Sequence, residues 1–81
     1  MALPDTEPDS VRRIANALLA YVERRPEAED TLDGILSWWP LPKDSSREAV
    51  SCALAKLVAE GRLAKYLSPE GRCLFRKPYA A

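Results

Sequence analysis

Residues 45–77, SSREAVSCALAKLVAEGRLAKYLSPEGRCLFRK, carry the reading of the fold. Val50, Ala53, Leu54, Leu57 and Val58 share one stripe at helical spacing, so the stretch begins as an amphipathic helix. Ser45 or Ser46 can cap its start, because a serine oxygen accepts a bond from an orphan first-turn amide. Ser45 with Glu48 three residues on also fits a capping box. Gly61 follows Glu60 where a helix end needs a left-handed residue, a conformation glycine adopts without steric penalty. Leu63–Leu67 and Arg72–Lys77 read as strands. Between them, Ser68-Pro69-Glu70-Gly71 is a turn: proline presets its second position and glycine suits its fourth. The stretch therefore predicts a helix over 46–60 and a hairpin of strands 63–67 and 72–77.

Working outward, Thr6-Glu7-Pro8-Asp9 is a capping sequence with proline tolerated in the first turn. Val11, Ile14, Ala15, Leu18, Tyr21 and Val22 then trace the apolar face of a helix over 9–24. Arg24 and Arg25 suit its C-terminal dipole, and Pro26 disfavours helix at the residue before it. Thr31 caps a short helix over 32–39 with Leu32, Ile35, Leu36 and Trp39 on one face. Gly34 weakens that helix by roughly 1 kcal/mol relative to alanine. Pro40 and Pro42 end it. The predicted core contains Val11, Ile14, Leu18, Val22, Ile35, Leu36, Val50, Leu54, Leu57, Leu63 and Phe75. Residues 1–8 read as a flexible tail, 9–77 as one domain and 78–81 as a second tail.

Eighty-one residues with 47% hydrophobic content suit a single small core of modest stability. No apolar run is long enough to span a bilayer, so no membrane association is expected. Met1-Ala2-Leu3-Pro4-Asp5 has neither the basic region nor the apolar core of a secretory signal, which predicts a cytoplasmic protein. There Cys52 and Cys73 stay reduced, as small buried or half-buried apolar groups, with a redox pair as the sharper alternative. The chain has no histidine, which removes the commonest general base and the commonest zinc ligand. Gly34, Gly61 and Gly71 stand alone, so no phosphate-binding glycine loop exists. Asp30 and Asp33 suit the dipole at the start of the second helix better than a catalytic pair. Neither an enzyme nor a bound cofactor or metal is expected.

Helix, short helix, proline-bearing link, long helix ending in Glu60-Gly61-Arg62-Leu63, then hairpin: this order resembles the winged helix-turn-helix superfamily of small bacterial regulators. The resemblance covers residues 9–77. Its most specific piece is Ala53-Leu54-Ala55-Lys56-Leu57-Val58-Ala59-Glu60-Gly61-Arg62-Leu63, similar to the recognition-helix exit of many such domains. The link from Trp39 to Ser45 is longer than the simplest helix-turn-helix turn, which loosens the angle between the second and third helices. The resemblance implies a mainly α fold with a C-terminal wing, which either reads DNA or docks on protein.

Charge favours DNA and the face of the third helix argues against it. Residues 1–33 hold eight acids and four bases, and residues 34–81 hold four acids and eight bases, so net −4 faces net +4. Such asymmetry is a hint of nucleic-acid contact. The expected contacts are Arg47, Ser51 and Lys56 on the third helix with Lys65, Arg72, Arg76 and Lys77 on the wing. If Cys73 and Phe75 face the core, alternation puts Arg72 and Arg76 together on the outer face as phosphate clamps. Yet Glu48 would repel phosphate, the chain has no glutamine, and its one asparagine, Asn16, lies in the first helix. Bidentate reading of adenine is therefore not available from this surface.

Adjacent helical positions point about 100° apart, so Trp38 and Trp39 cannot both be buried on one stripe. Trp39 continues the apolar face, and Trp38 is left as an exposed interface residue or as a rim over the second helix. A site poor in base contacts gains specificity by reading two half-sites, which predicts a symmetric homodimer with double-stranded DNA as partner. The first helix, Trp38 or Tyr79 would supply the dimer contact. The alternative partner is another protein.

Overall fold

The computed structural model describes residues 9–43 and 45–78. Their order is α1 (Asp9–Arg24), β1 (Glu29–Asp30), α2 (Leu32–Trp38), α3 (Arg47–Ala59), β2 (Ala64–Leu67) and β3 (Cys73–Arg76). The protein is thus mainly helical with a small antiparallel sheet of order β1-β3-β2. The capping sequence at Thr6–Pro8, most of both expected tails and Tyr79 lie outside the described residues.

Local chemistry sets the ends of each helix. Thr31 caps α2, its Oγ1 accepting from the Gly34 amide at 3.1 Å. α2 stops at Trp38, and Trp39 is its extended C-cap, donating from its amide to the Ile35 carbonyl. At α3 the cap is Ser46, whose Oγ accepts from the Ala49 amide at 3.0 Å. The Ser45–Glu48 capping box therefore does not form. The Ser45 hydroxyl instead donates to the Pro42 carbonyl at 2.7 Å and shapes the link before the helix. Gly61 has φ +77°, with the Gly61 amide on the Val58 carbonyl and the Arg62 amide on the Leu57 carbonyl. That crossed pair is a Schellman ending, as the glycine predicts.

The hairpin turn holds a type I turn followed by a left-handed glycine. The Gly71 amide bonds the Ser68 carbonyl, the Ser68 amide bonds the Arg72 carbonyl, and Gly71 has φ +87°. Such three-residue connections match the twist of the flanking strands. The strands are shorter than predicted: Leu63 precedes β2, while Arg72 and Lys77 flank β3. Tyr66 pairs with Leu74 and Lys65 with Phe75, so Lys65, Leu67, Cys73 and Phe75 share one face of the hairpin. Tyr66 and Leu67, on opposite faces of β2, are both exposed. β1 is an unforeseen third strand, with Glu29 opposite Arg76 and Asp30 opposite Phe75.

The core lies chiefly between α1 and α3, with α2 and β3 closing its sides. All the predicted core residues are buried except Leu36, which is half-buried at its edge. Ala15, Ala53 and Trp39 are buried as well, Trp39 packing its ring 4.6 Å from that of Tyr21. Among the described residues no helix is long and apolar enough to cross a membrane.

Gly34 is where propensity and packing conflict. A Cβ there would lie 1.8 Å from Asp30 Oδ1 and 2.2 Å from its Cγ. The same carboxylate accepts from the Thr31 amide at 2.9 Å, beside the cap of α2. Alanine would add about 1 kcal/mol of helix propensity. It would also displace a charge-assisted bond worth about 1.5–3 kcal/mol. Gly34→Ala is therefore expected to destabilise by about 1 kcal/mol; a higher midpoint in urea would show that Asp30 moves aside freely.

Candidate nucleic-acid interface

α3 turns Val50, Ala53, Leu54 and Leu57 inward and leaves Glu48, Ser51, Cys52, Ala55 and Ala59 exposed. The centre of this ridge is small and carries one acid. Cys52 is exposed and Cys73 half-buried, both as free thiols, which corrects the expectation that each is at least half-buried. The reason is angular: Cys52 lies two positions from both Val50 and Leu54, on the opposite side of the helix from the stripe they define.

Both cations of α3 already hold acids. Arg47 Nη1 lies 2.8 Å from Asp33 Oδ1 at the start of α2. Lys56 Nζ lies 2.8 Å from Glu60 Oε2 and holds the Glu60 carboxyl below its ordinary pKa, chiefly through that hydrogen bond. Exposed pairs such as Arg47–Asp33 are weak and exchangeable, so phosphate can displace the acid, but the pairing lowers the bare positive field of the helix.

The hairpin cations are divided between its faces. Lys65, beside Phe75, borders a groove of about 300 Å³ against Ser51, Ala55, Val58 and Ala59 of α3. Arg76 sits on the other face, half-buried, with Nη1 3.3 Å from Glu29 Oε1 and Nε donating to the Lys77 carbonyl at 3.1 Å. Arg72 lies in the turn and Lys77 beyond the strand, both exposed. Arg72 and Arg76 differ in setting: β1 brings Glu29 to Arg76, whereas Arg72 precedes the strand in the turn. Among the described residues no ion pair involves Lys65, Arg72 or Lys77. The charge asymmetry of the sequence is partly cancelled by folding, since Asp33 and Glu29 from the acidic half meet Arg47 and Arg76 from the basic half.

Glu29 also anchors the hairpin. Its Oε1 accepts the Tyr66 hydroxyl, reaching from β1 across β3 to β2. This bond, before any burial effect, raises the Tyr66 pKa above the ordinary phenol value. The sign follows. The bond's contribution is complete below the unfolded tyrosine pKa and is lost as pH rises through the raised folded one. Glu29→Gln should return the Tyr66 titration, followed by its ring resonances, towards the ordinary value; an unchanged midpoint would dismiss the contact. A two-residue acidic strand carries no strand pattern of its own, so the sequence holds no signal for Glu29.

Trp38 is 80% exposed and Leu67 68% exposed, at α2 and the hairpin respectively. Trp38 is thus free of the core, as the angular argument requires, whereas Tyr79 lies outside the described residues. Among the described residues no group of three or more His, Cys, Asp or Glu side chains is placed to hold a metal ion. Compared with known proteins, the chain matches no family model, no curated protein and no solved structure.

Proposed function

We propose that the chain is a winged helix-turn-helix domain that binds double-stranded DNA as a regulator, with α3 in the major groove and the hairpin on the phosphate backbone. The observation that carries this reading is the setting of α3: one exposed ridge, bordered by a hairpin whose Lys65 and Arg72 hold no acid among the described residues. The connectivity supports it, since β1 between α1 and α2 pairs with the last strand and leaves β2 at the sheet edge. An α-helix about 10–12 Å across fits a major groove about 12 Å wide. With small residues and Glu48 at its centre, the ridge suits shape and backbone recognition better than direct reading of bases. Two copies reading two half-sites would supply the specificity one copy lacks.

The test is a salt titration of binding to random-sequence duplex, read by fluorescence anisotropy. Lys65→Ala with Arg72→Ala should lower the slope of log affinity against log salt by about 1.8, at 0.9 for each phosphate contact. An unchanged slope would remove the hairpin from the interface. A second reading, a protein-docking module, is favoured by the ion pairs that occupy Arg47 and Lys56 and by the exposed Trp38. Absence of wild-type binding at low salt would decide for it.

A further inference from the structure

Arg13 and Lys43 lie 30 residues apart in sequence but line one cleft, formed where the start of α1 meets the link between α2 and α3. The cleft measures about 120 Å³ and is completed by Ser10, Ile14, Pro42 and Ser45. That is well above the roughly 10–15 Å³ a single water needs, room enough for a phosphodiester group. Two of its six lining residues are cations and none is an acid. Among the described residues neither cation makes an ion pair. The acid nearest in the first turn of α1, Asp9, is turned to Arg12 at 3.6 Å. Asp44, next to Lys43 in sequence, lies outside the described residues.

The rim is held in shape. The Ser45 amide and hydroxyl both donate to the Pro42 carbonyl, at 3.2 and 2.7 Å, closing the turn that carries Lys43. With the Ser45 hydroxyl so engaged, the donors left for an anion are the Arg13 guanidinium, the Lys43 ammonium and the Ser10 hydroxyl. A guanidinium fork and an ammonium together suit a tetrahedral phosphate oxygen pair.

Position decides which phosphate. Ser10 also borders a second hollow with Glu48, Ala49 and Cys52, which opens on the ridge of α3 from the α1 side. The hairpin groove meets α3 on its other flank, at Ser51, Ala55 and Val58. The ridge of α3 therefore runs between the Arg13–Lys43 cleft and Lys65. A helix in a major groove has a phosphate backbone on each side of it, and cations are needed on both flanks. We infer that the Arg13–Lys43 cleft seats a backbone phosphate on the α1 side of α3, opposite the hairpin contact. This rests on the DNA-binding reading above.

The experiment compares the full chain with Arg13→Gln/Lys43→Gln in anisotropy titrations against one random-sequence duplex at several salt concentrations. The control is Arg24→Gln/Arg25→Gln, which removes the same charge at the far end of α1, about 17 Å along the helix. Loss of one phosphate contact should lower the salt slope by about 0.9 in the cleft variant and leave the control at the wild-type slope. Ser10→Glu provides a second variant, since an acid in the first turn suits the helix dipole and keeps α1 folded. Its carboxylate should weaken binding about fivefold, the repulsion of two unit charges about 4 Å apart in water. Wild-type slope and affinity in both cleft variants would overturn the phosphate seat while leaving the DNA reading intact. An equal fall in the cleft and control variants would overturn it as an effect of net charge alone. No duplex binding by the wild type would remove the DNA reading, and the seat with it.

Discussion

Trp39→Ala should lower the stability of this domain by about 3–5 kcal/mol, whereas Trp38→Ala should change it by less than about 0.5 kcal/mol. The two rings are neighbours in sequence and opposites in environment: Trp39 is 7% exposed and Trp38 80%. Removing Trp39 empties the space between α2 and α1 where its ring meets Tyr21, at an interplanar angle of 47°. A domain of this length has a total stability of roughly 4–12 kcal/mol, so the loss takes a large share of it. A thermal melt should show Tm falling by roughly 12–40 °C for Trp39→Ala, at 4–8 °C for each kcal/mol. Equal, small shifts for both variants would mean that the Tyr21–Trp39 contact is not part of the core. Sedimentation of Trp38→Ala beside the wild type then shows whether the exposed ring joins two copies, without the ambiguity of a destabilised fold.

Leu54→Ala is the second large effect, at about 2–5 kcal/mol. Leu54 is 1% exposed on α3, in the layer where α3 packs against α1. Truncation leaves a cavity in the core where α3 meets α1. The comparison is Leu67→Ala, where the same chemical change at the exposed last residue of β2 should cost less than about 0.5 kcal/mol. Urea unfolding is the measurement: the midpoint should fall for Leu54→Ala with the slope preserved. A slope that falls with it would show that the variant is no longer two-state. Similar midpoints for the two leucine variants would place the core elsewhere.

The features that were legible beforehand are those whose cause is local. The apolar stripe of α3, the serine and threonine caps, the left-handed Gly61 and the proline–glycine turn each depend on residues within about five positions. Trp39 inward and Trp38 outward follow from helix geometry in the same way. Choosing Ser46 over Ser45 was beyond sequence, because both offer an oxygen at a plausible place. The choice was made by Pro42, whose carbonyl takes the Ser45 hydroxyl.

The candidate site was less legible than the fold. The bases of α3 and the hairpin could be enumerated, but their partners could not. Asp33 reaches Arg47 across two helices, and Glu29 reaches Arg76 across 47 residues. Arg13 and Lys43 are not legible as a pair, because nothing in a linear chain places the first turns of α1 beside the α2–α3 link. In the same way Gly34 reads as a weak point of a helix until the Asp30 carboxylate is seen resting on it.

By itself the sequence determined where the helices run, which stripe of each is apolar, where α3 ends and how the hairpin turns. Periodicity and backbone preference act over a few residues and survive without the rest of the chain. Tertiary structure alone decided that Glu29–Asp30 is a strand, which cations keep an acid beside them and which two flank a cleft. Those outcomes depend on groups brought together by burial of the common core, and no local preference encodes them.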